Sequence, residues 1–199
     1  MPTPPTVPHH PPQRVVPARI LTASGWLRAR LHLPRLCSFA EFLAQGAPFL
    51  SLTRVALPGA REESSFLALR RSAALVVLPA CSEGALLLEP RPERAVSRHV
   101  RCVLPAGAVG GLLELPPGTR VSDHVAVHPG FLMLREADVG PAGTRVPLLF
   151  VNAAALIAVE EGPPRLPRWR FTPEVVPMAD DDPAGEEPAG RPAAFPPRG

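Results

Sequence analysis

The sequence predicts a mainly β protein built from two tandem copies of one small fold. Three observations support this prediction. The chain matches itself at an offset of 82 residues, so that Leu33 aligns with Leu115 and Phe49 with Phe131. Apolar and polar residues alternate along residues 27–33, which is the period of a half-buried strand. Short apolar runs are separated by Pro and Gly, as is typical of strands joined by turns.

The first repeat is predicted to contain five strands and one short helix. Residues 19–21 begin a strand, Gly25 bends the chain, and residues 26–33 form a second strand. Ser38 and Glu41 have the spacing of a capping box, which predicts one or two helical turns over residues 38–43. Three more strands are predicted from the remaining apolar runs, at residues 49–57, 66–69 and 74–77.

The second repeat follows the same order without a gap. Its predicted elements are a strand at 100–104, a strand at 109–115, a turn at 120–125, and strands at 131–139, 148–152 and 156–159. Most residues shared by the repeats are apolar or turn residues, so they indicate a shared core. We therefore expect two small five-stranded barrel-like or sandwich domains, each with one short helix, packed as a pseudo-two-fold pair.

Composition divides the chain into five segments. Residues 1–17 contain seven prolines and are predicted to be a disordered Pro-rich tail. The first β-repeat covers 18–79, a linker 80–98 and the second β-repeat 99–161. Residues 162–199 have too few apolar residues for a core and are predicted to be a disordered tail with an aromatic-basic segment.

The charge and cysteine content exclude few functions. The net charge is +3, and all 21 basic residues are Arg, which indicates a GC-rich bacterial genome more than phosphate binding. Three cysteines without close pairing predict buried free thiols, neither a disulfide framework nor a zinc site. The chain shows no signal-peptide pattern and no apolar run long enough to span a bilayer, so we expect a cytoplasmic protein.

The second repeat resembles an uncharacterised bacterial family of small β-domains. The matching segments are Gly-Leu-Leu-Glu-Leu-Pro at 111–116, Arg-Val-Ser-Asp-His-Val-Ala at 120–126, Phe-Leu-Met-Leu at 131–134 and Val-Asn at 151–152. Ala126 departs from the family, which has Asn there. The resemblance implies a small β fold and no activity. The strand number also resembles that of Sm-like barrels, an analogy that implies no function.

The polar residues of the second repeat are the first candidate site. Arg120, Ser122, Asp123 and Asn152 could grip a phosphate or a peptide backbone. The alternative is structural, with Ser122 and Asp123 capping the turn and Arg120 paired with Asp123.

No catalytic motif accompanies this set. His124 and His128 lie four residues apart, but no further ligand has a distinctive spacing, so no metal site is predicted. No Gly-x-Ser-x-Gly elbow and no Gly-rich phosphate loop occurs. Residues 94–98 match half of the signature of PilZ-type barrels, whose partner motif is absent. The sequence predicts neither an enzyme nor a cofactor.

The C-terminal tail supplies the second candidate site. Arg168, Trp169 and Phe171 lie in a Pro-flanked segment that is typical of a short docking peptide, or that folds back on its own domain. We expect a non-enzymatic adaptor or scaffold that binds other proteins, and the sequence is compatible with an oligomer. The alternative is an Sm-like or PilZ-like nucleic-acid or nucleotide binder that uses Arg28, Arg30 and Arg120.

Overall fold

The structure is a computed structural model that describes residues 13–44, 47–80, 94–128, 130–139 and 144–162. This part of the chain contains ten strands and two short α-helices. In the first half they are β1 Gln13–Thr22, β2 Gly25–Pro34, α1 Phe39–Ala44, β3 Phe49–Ala56, β4 Ser64–Arg70 and β5 Val76–Pro79. In the second half they are β6 Val96–Leu104, β7 Gly107–Leu115, α2 Val121–Val127, β8 Phe131–Val139, β9 Thr144–Asn152 and β10 Ala158–Glu161. Single 3-10 turns, Arg71–Ala73 and Ala153–Ala155, follow β4 and β9.

The two halves share their irregular features as well as their strands. Arg54 in β3 and Glu136 in β8 are 82 residues apart, and both have a positive φ, 48° and 44°. Each lies where the ladder to the preceding strand shifts register. Arg54 pairs with Glu63, and Glu136 pairs with Arg145 at the equivalent positions, with the charges exchanged. The same backbone path has therefore been kept with different side chains.

The ten strands form one antiparallel sheet in the order β10-β6-β7-β8-β9-β5-β1-β2-β3-β4. The prediction of a mainly β protein is thus confirmed. The two barrel-like domains are not confirmed, because over the described residues the sheet is open and has β10 and β4 as its end strands. Instead of each half closing on itself, β5 pairs with β9 of the other half, which satisfies backbone groups that an exposed edge would leave open.

The predicted two-fold relation between the repeats is not confirmed. The strands that meet, β5 and β9, are not equivalent: the counterpart of β5 is β10, and the counterpart of β9 is β4. A two-fold axis would also pair β10 with β4, and the two lie at opposite ends of the sheet. The halves are joined head to tail.

The buried apolar residues form two hydrophobic cores, and each core contains residues from both halves. The core of the first half includes Phe131, Leu148 and Phe150 of the second. The core of the second half includes Leu21, Leu75 and Val76 of the first. Neither core is complete without residues from the other half.

Several predicted boundaries need correction. β1 begins at Gln13, inside the predicted tail 1–17, because its first residues pair with β2 and Val16 is buried. β6 begins at Val96, inside the predicted linker 80–98. The predicted turn 120–125 is the start of helix α2. The other parts of the predicted tails and linker, residues 1–12, 81–93 and 163–199, lie outside the described residues.

Candidate functional site

Helix α1 is set by the capping box that the sequence predicts. The Ser38 amide donates to Glu41 Oε2 at 2.9 Å, and the Glu41 amide donates to Ser38 Oγ at 3.1 Å. The hydrogen bonds from the backbone and side chain of Ser38 lower the pKa of Glu41. The helix therefore carries a carboxylate in its first turn, where the helix dipole favours a negative charge.

A groove lies between α1 and the second half of the chain, and we call it the interhelix groove. Its volume is about 300 Å³. Helix α1 forms one wall with Ala40, Glu41 and Ala44. The other wall comes from β7, α2 and β8 and consists of Leu113, Glu114, His124, His128, Phe131 and Met133. Because β5–β9 pairing brings the halves together, the groove is a product of the junction.

Two histidines lie side by side in this groove. The ring centroids of His124 and His128 are 5.3 Å apart, and the Gly130 amide donates to His128 Nδ1 at 3.4 Å. Burial lowers the pKa of both rings, and the neighbouring His124 lowers that of His128 further. Both imidazoles are therefore neutral near pH 7. No group of three His, Cys, Asp or Glu side chains suited to a metal ion occurs among the described residues.

The buried carboxylate of the groove is already paired. The Glu114 side chain is 5% exposed and accepts from Arg135 Nε at 3.2 Å. This ion pair leaves Glu41 as the carboxylate at the rim of the groove. The groove thus presents an apolar surface, two neutral imidazoles and one acidic edge.

Three of the residues predicted as a site lie together at the start of α2. Arg120 is the N-cap residue of this helix and forms no capping hydrogen bond through its side chain. Ser122 Oγ donates to Asp123 Oδ1 at 3.3 Å, and both residues are exposed. Within the part of the chain that the structure describes, no ion pair joins Arg120 to Asp123. Arg120 lines a separate cavity of about 190 Å³ with Arg98 and Glu161.

Asn152, the fourth predicted residue, is buried at the junction of the halves. Its Nδ2 donates to the Ala74 carbonyl at 3.0 Å, and its Oδ1 accepts from the Ala154 amide at 3.1 Å. Its own amide donates to the Leu75 carbonyl at 3.0 Å. Asn152 therefore joins the two halves and is not grouped with Arg120, Ser122 and Asp123. The predicted tail residues Arg168, Trp169 and Phe171 lie outside the described residues.

The outer face of β1 and β2 carries arginines beside an aromatic ring. Arg19 lies directly across the ladder from Arg28, and its guanidinium is 5.1 Å from the centre of the Trp26 ring. Burial, and next the charge of Arg28, lower the pKa of Arg19. Two like charges side by side favour an anion at this face.

Of the described cysteines, only Cys102 is a buried free thiol as predicted. Cys37 is partly buried and Cys102 is buried, and neither forms a disulfide. Burial raises the pKa of Cys102 to about 12. Its thiol therefore stays protonated and packs as an apolar group.

The sequence indicates only part of one wall of the interhelix groove. The spacing of His124 and His128 indicates that both side chains belong to one local segment, but nothing in the sequence places α1 opposite them. In the comparisons with known proteins, no family model matches the chain, and no curated protein or solved structure is significantly similar to it. None of the described helices has the length and apolar character needed to cross a membrane.

Proposed function

We propose that this chain is a non-enzymatic cytoplasmic adaptor, and that the interhelix groove receives an apolar side chain of a protein partner. One observation supports the proposal above the others: an apolar cleft with two neutral imidazoles lies at the junction of the halves. Concave apolar surfaces with few polar groups are the usual form of a binding site. Met and Phe are enriched in the centres of protein interfaces.

The size and charge of the groove define the partner. A volume of about 300 Å³ is at the lower end of the roughly 300–1,000 Å³ of small-molecule pockets and fits one or two side chains. The Glu41 carboxylate at the rim favours a basic residue beside the apolar one. The proposed ligand is therefore a peptide segment with an apolar residue next to Arg or Lys. The tail around Trp169 is the second proposed contact of the adaptor.

A random-peptide display library tests the groove directly. We expect the wild-type chain to select peptides with an apolar residue next to a basic one. Ala44→Trp fills the groove with a large side chain, and we expect it to weaken binding of a selected peptide about tenfold or more, a loss of about 1.4 kcal/mol. The matched control is Ala126→Trp, at the equivalent position of α2 and outside the groove. Equal binding to Ala44→Trp, or no enriched peptide, would contradict the proposal.

An anion-binding role is the second candidate, favoured by Arg19, Arg28 and Trp26 on one face. Here the ligand would be a nucleic acid or a nucleotide, with its phosphates contacting the guanidinium groups and the Trp26 ring holding the Arg19 guanidinium in place. Binding of a fluorescent oligonucleotide would then fall steeply between low and moderate salt, and Arg28→Glu would reduce it. The absence of binding at low salt would remove this candidate.

A further inference from the structure

The open edges of the sheet are the counterparts of the edges that join its halves. Inside the chain, β5 pairs with β9 in a register that places Val77 opposite Phe150. The equivalents of β5 and β9 at the 82-residue offset are β10 and β4. These are the two strands that end the sheet. Among the described residues, each chain therefore has one edge of each kind used at the internal junction that pairs with no further strand.

The side chains around the open edges are exposed where their counterparts are buried. The exposed fractions of three equivalent pairs are 51% for Phe49 against 6% for Phe131, 57% for Phe66 against 1% for Leu148, and 66% for Ile157 against 7% for Leu75. Large apolar residues at these positions contribute to a core in one half and face solvent in the other. A second β5–β9-type junction would cover all three.

The backbone at the open β10 edge has the geometry of the used β5 edge. The Leu75 amide donates to the Leu21 carbonyl at 2.8 Å, and the equivalent Ile157 amide donates to the Val103 carbonyl at 2.8 Å. The same backbone hydrogen bond is therefore present just before β5 and just before β10. No rearrangement of β10 is needed before it can pair.

A cavity beside the open β4 edge is equivalent to the interhelix groove, except that one of the two walls is absent over the described residues. It is a cavity of about 460 Å³ whose lining includes His32, Phe49 and Ser51, the equivalents of Glu114, Phe131 and Met133. The wall missing from it corresponds to α1, whose equivalent is α2. Docking α2 of another molecule there would bring Asp123, the counterpart of Glu41, toward His32, a favourable pairing of acid with imidazole.

We propose that a second copy of this chain binds at these edges, with β10 of one copy pairing antiparallel to β4 of the next. Val159 lies opposite Ala68 of the neighbouring copy, which repeats the register of Val77 and Phe150. The contact is head to tail, so each copy binds one neighbour through β4 and another through β10. Such contacts produce a closed ring or an open chain. This interaction is independent of peptide binding in the interhelix groove.

Two proline variants remove the pairing from one edge each. The Asn152 amide donates across the internal junction, so the equivalent Arg70 amide points out of β4, and the Ala68 amide two residues earlier points the same way. In β10, the Gly162 amide donates inward to His99, so Val159, an odd number of residues away, points outward. Ala68→Pro and Val159→Pro therefore each remove one outward donor and keep the ladder within the sheet.

The molecular mass of each sample is measured by light scattering coupled to size-exclusion chromatography. We expect the wild-type chain to form species larger than its 21.2 kDa mass. Each proline variant alone is expected to be a monomer. The two variants mixed are expected to form a dimer of twice the chain mass and nothing larger, because one intact edge of each kind remains. Only a head-to-tail contact gives this pattern.

Other outcomes would overturn the proposal. They are a wild-type chain that is monomeric at every soluble concentration, a proline variant that still assembles alone, and a mixture that stays monomeric. Circular dichroism checks that the variants fold. If proline prevents folding, Phe66→Asp takes the place of Ala68→Pro, with Leu36→Asp, an exposed apolar position in a turn, as the control. Assembly that survives Phe66→Asp, or that Leu36→Asp also abolishes, would refute the edge contact.

Discussion

Replacing Asn152 with Ala tests the junction of the two halves. The side chain is 5% exposed and makes two hydrogen bonds, to Ala74 and Ala154, at 3.0 and 3.1 Å. Each hydrogen bond contributes about 1 kcal/mol, and a buried polar group left unpaired costs about 1–3 kcal/mol. Since the Ala74 carbonyl would lose this partner, we expect the free energy of unfolding to fall by about 2–4 kcal/mol. That is a large share of the roughly 5–15 kcal/mol of a folded domain.

The assay is urea denaturation followed by far-UV circular dichroism. The matched control is Arg70→Ala, at the equivalent exposed position that ends β4, which we expect to change stability by less than about 0.5 kcal/mol. If Asn152→Ala also uncouples the halves, the single transition splits into two with smaller slopes. An Asn152→Ala chain as stable as the Arg70→Ala chain would refute the assignment of Asn152 to the junction.

Three further changes test the packing, the helix cap and the groove. Phe150 is fully buried and packs on Phe39 with ring centroids 5.2 Å apart. Phe150→Ala should therefore lower the free energy of unfolding, measured by urea denaturation, by about 3–5 kcal/mol. A decrease below about 1 kcal/mol would contradict this packing. Ser38→Ala removes the cap of α1 and should lower stability by about 0.5–2 kcal/mol, whereas an unchanged denaturation midpoint would mean that the capping box is not needed. Burial lowers the pKa of His124 and His128, so the unfolded chain binds more protons and stability should fall as the pH drops below about 6.5. A double His→Gln variant should lose that part of the decline, and an identical pH profile would contradict the neutral pair.

The strands and α1 could be predicted because their signals are local. The alternation of apolar and polar residues along β2 predicts which face of this strand is buried. The spacing of Ser38 and Glu41 predicts the capping box of α1. The 82-residue offset then transfers each element to the other half. One short helix is expected in each half, but residues 120–125 are predicted as a turn, because the stretch after Arg120 has three valines, which disfavour a helix, and no capping side chain. The sequence predicts too late a start for β1, because prolines are atypical of a strand, and yet β1 begins at Gln13 and includes Pro17.

Strand partners could not be predicted, because they depend on which edges meet. β4 and β9 both present apolar runs, and nothing local says that β9 pairs with β5 while β4 stays at the end of the sheet. The sequence groups Asn152 with a candidate site because it is one of the polar residues of the second repeat. Its role is defined by Ala74, which lies 78 residues away along the chain.

The candidate groove was hidden for the same reason. One wall is α1 and the other includes His124 and Met133, so neither half contains the site alone. A sequence that is read one repeat at a time shows two incomplete surfaces. The head-to-tail junction turns them into a cleft.

Amide hydrogen exchange tests the central claim, that the halves are joined by β5–β9 pairing. The amides of Val77 and Phe150 should be strongly protected in the dilute chain, while their counterparts at Val159 and Ala68 exchange quickly. As the protein concentration rises and copies associate, protection should appear at Ala68 and Val159. Fast exchange at Val77 and Phe150 in the folded chain would contradict the account.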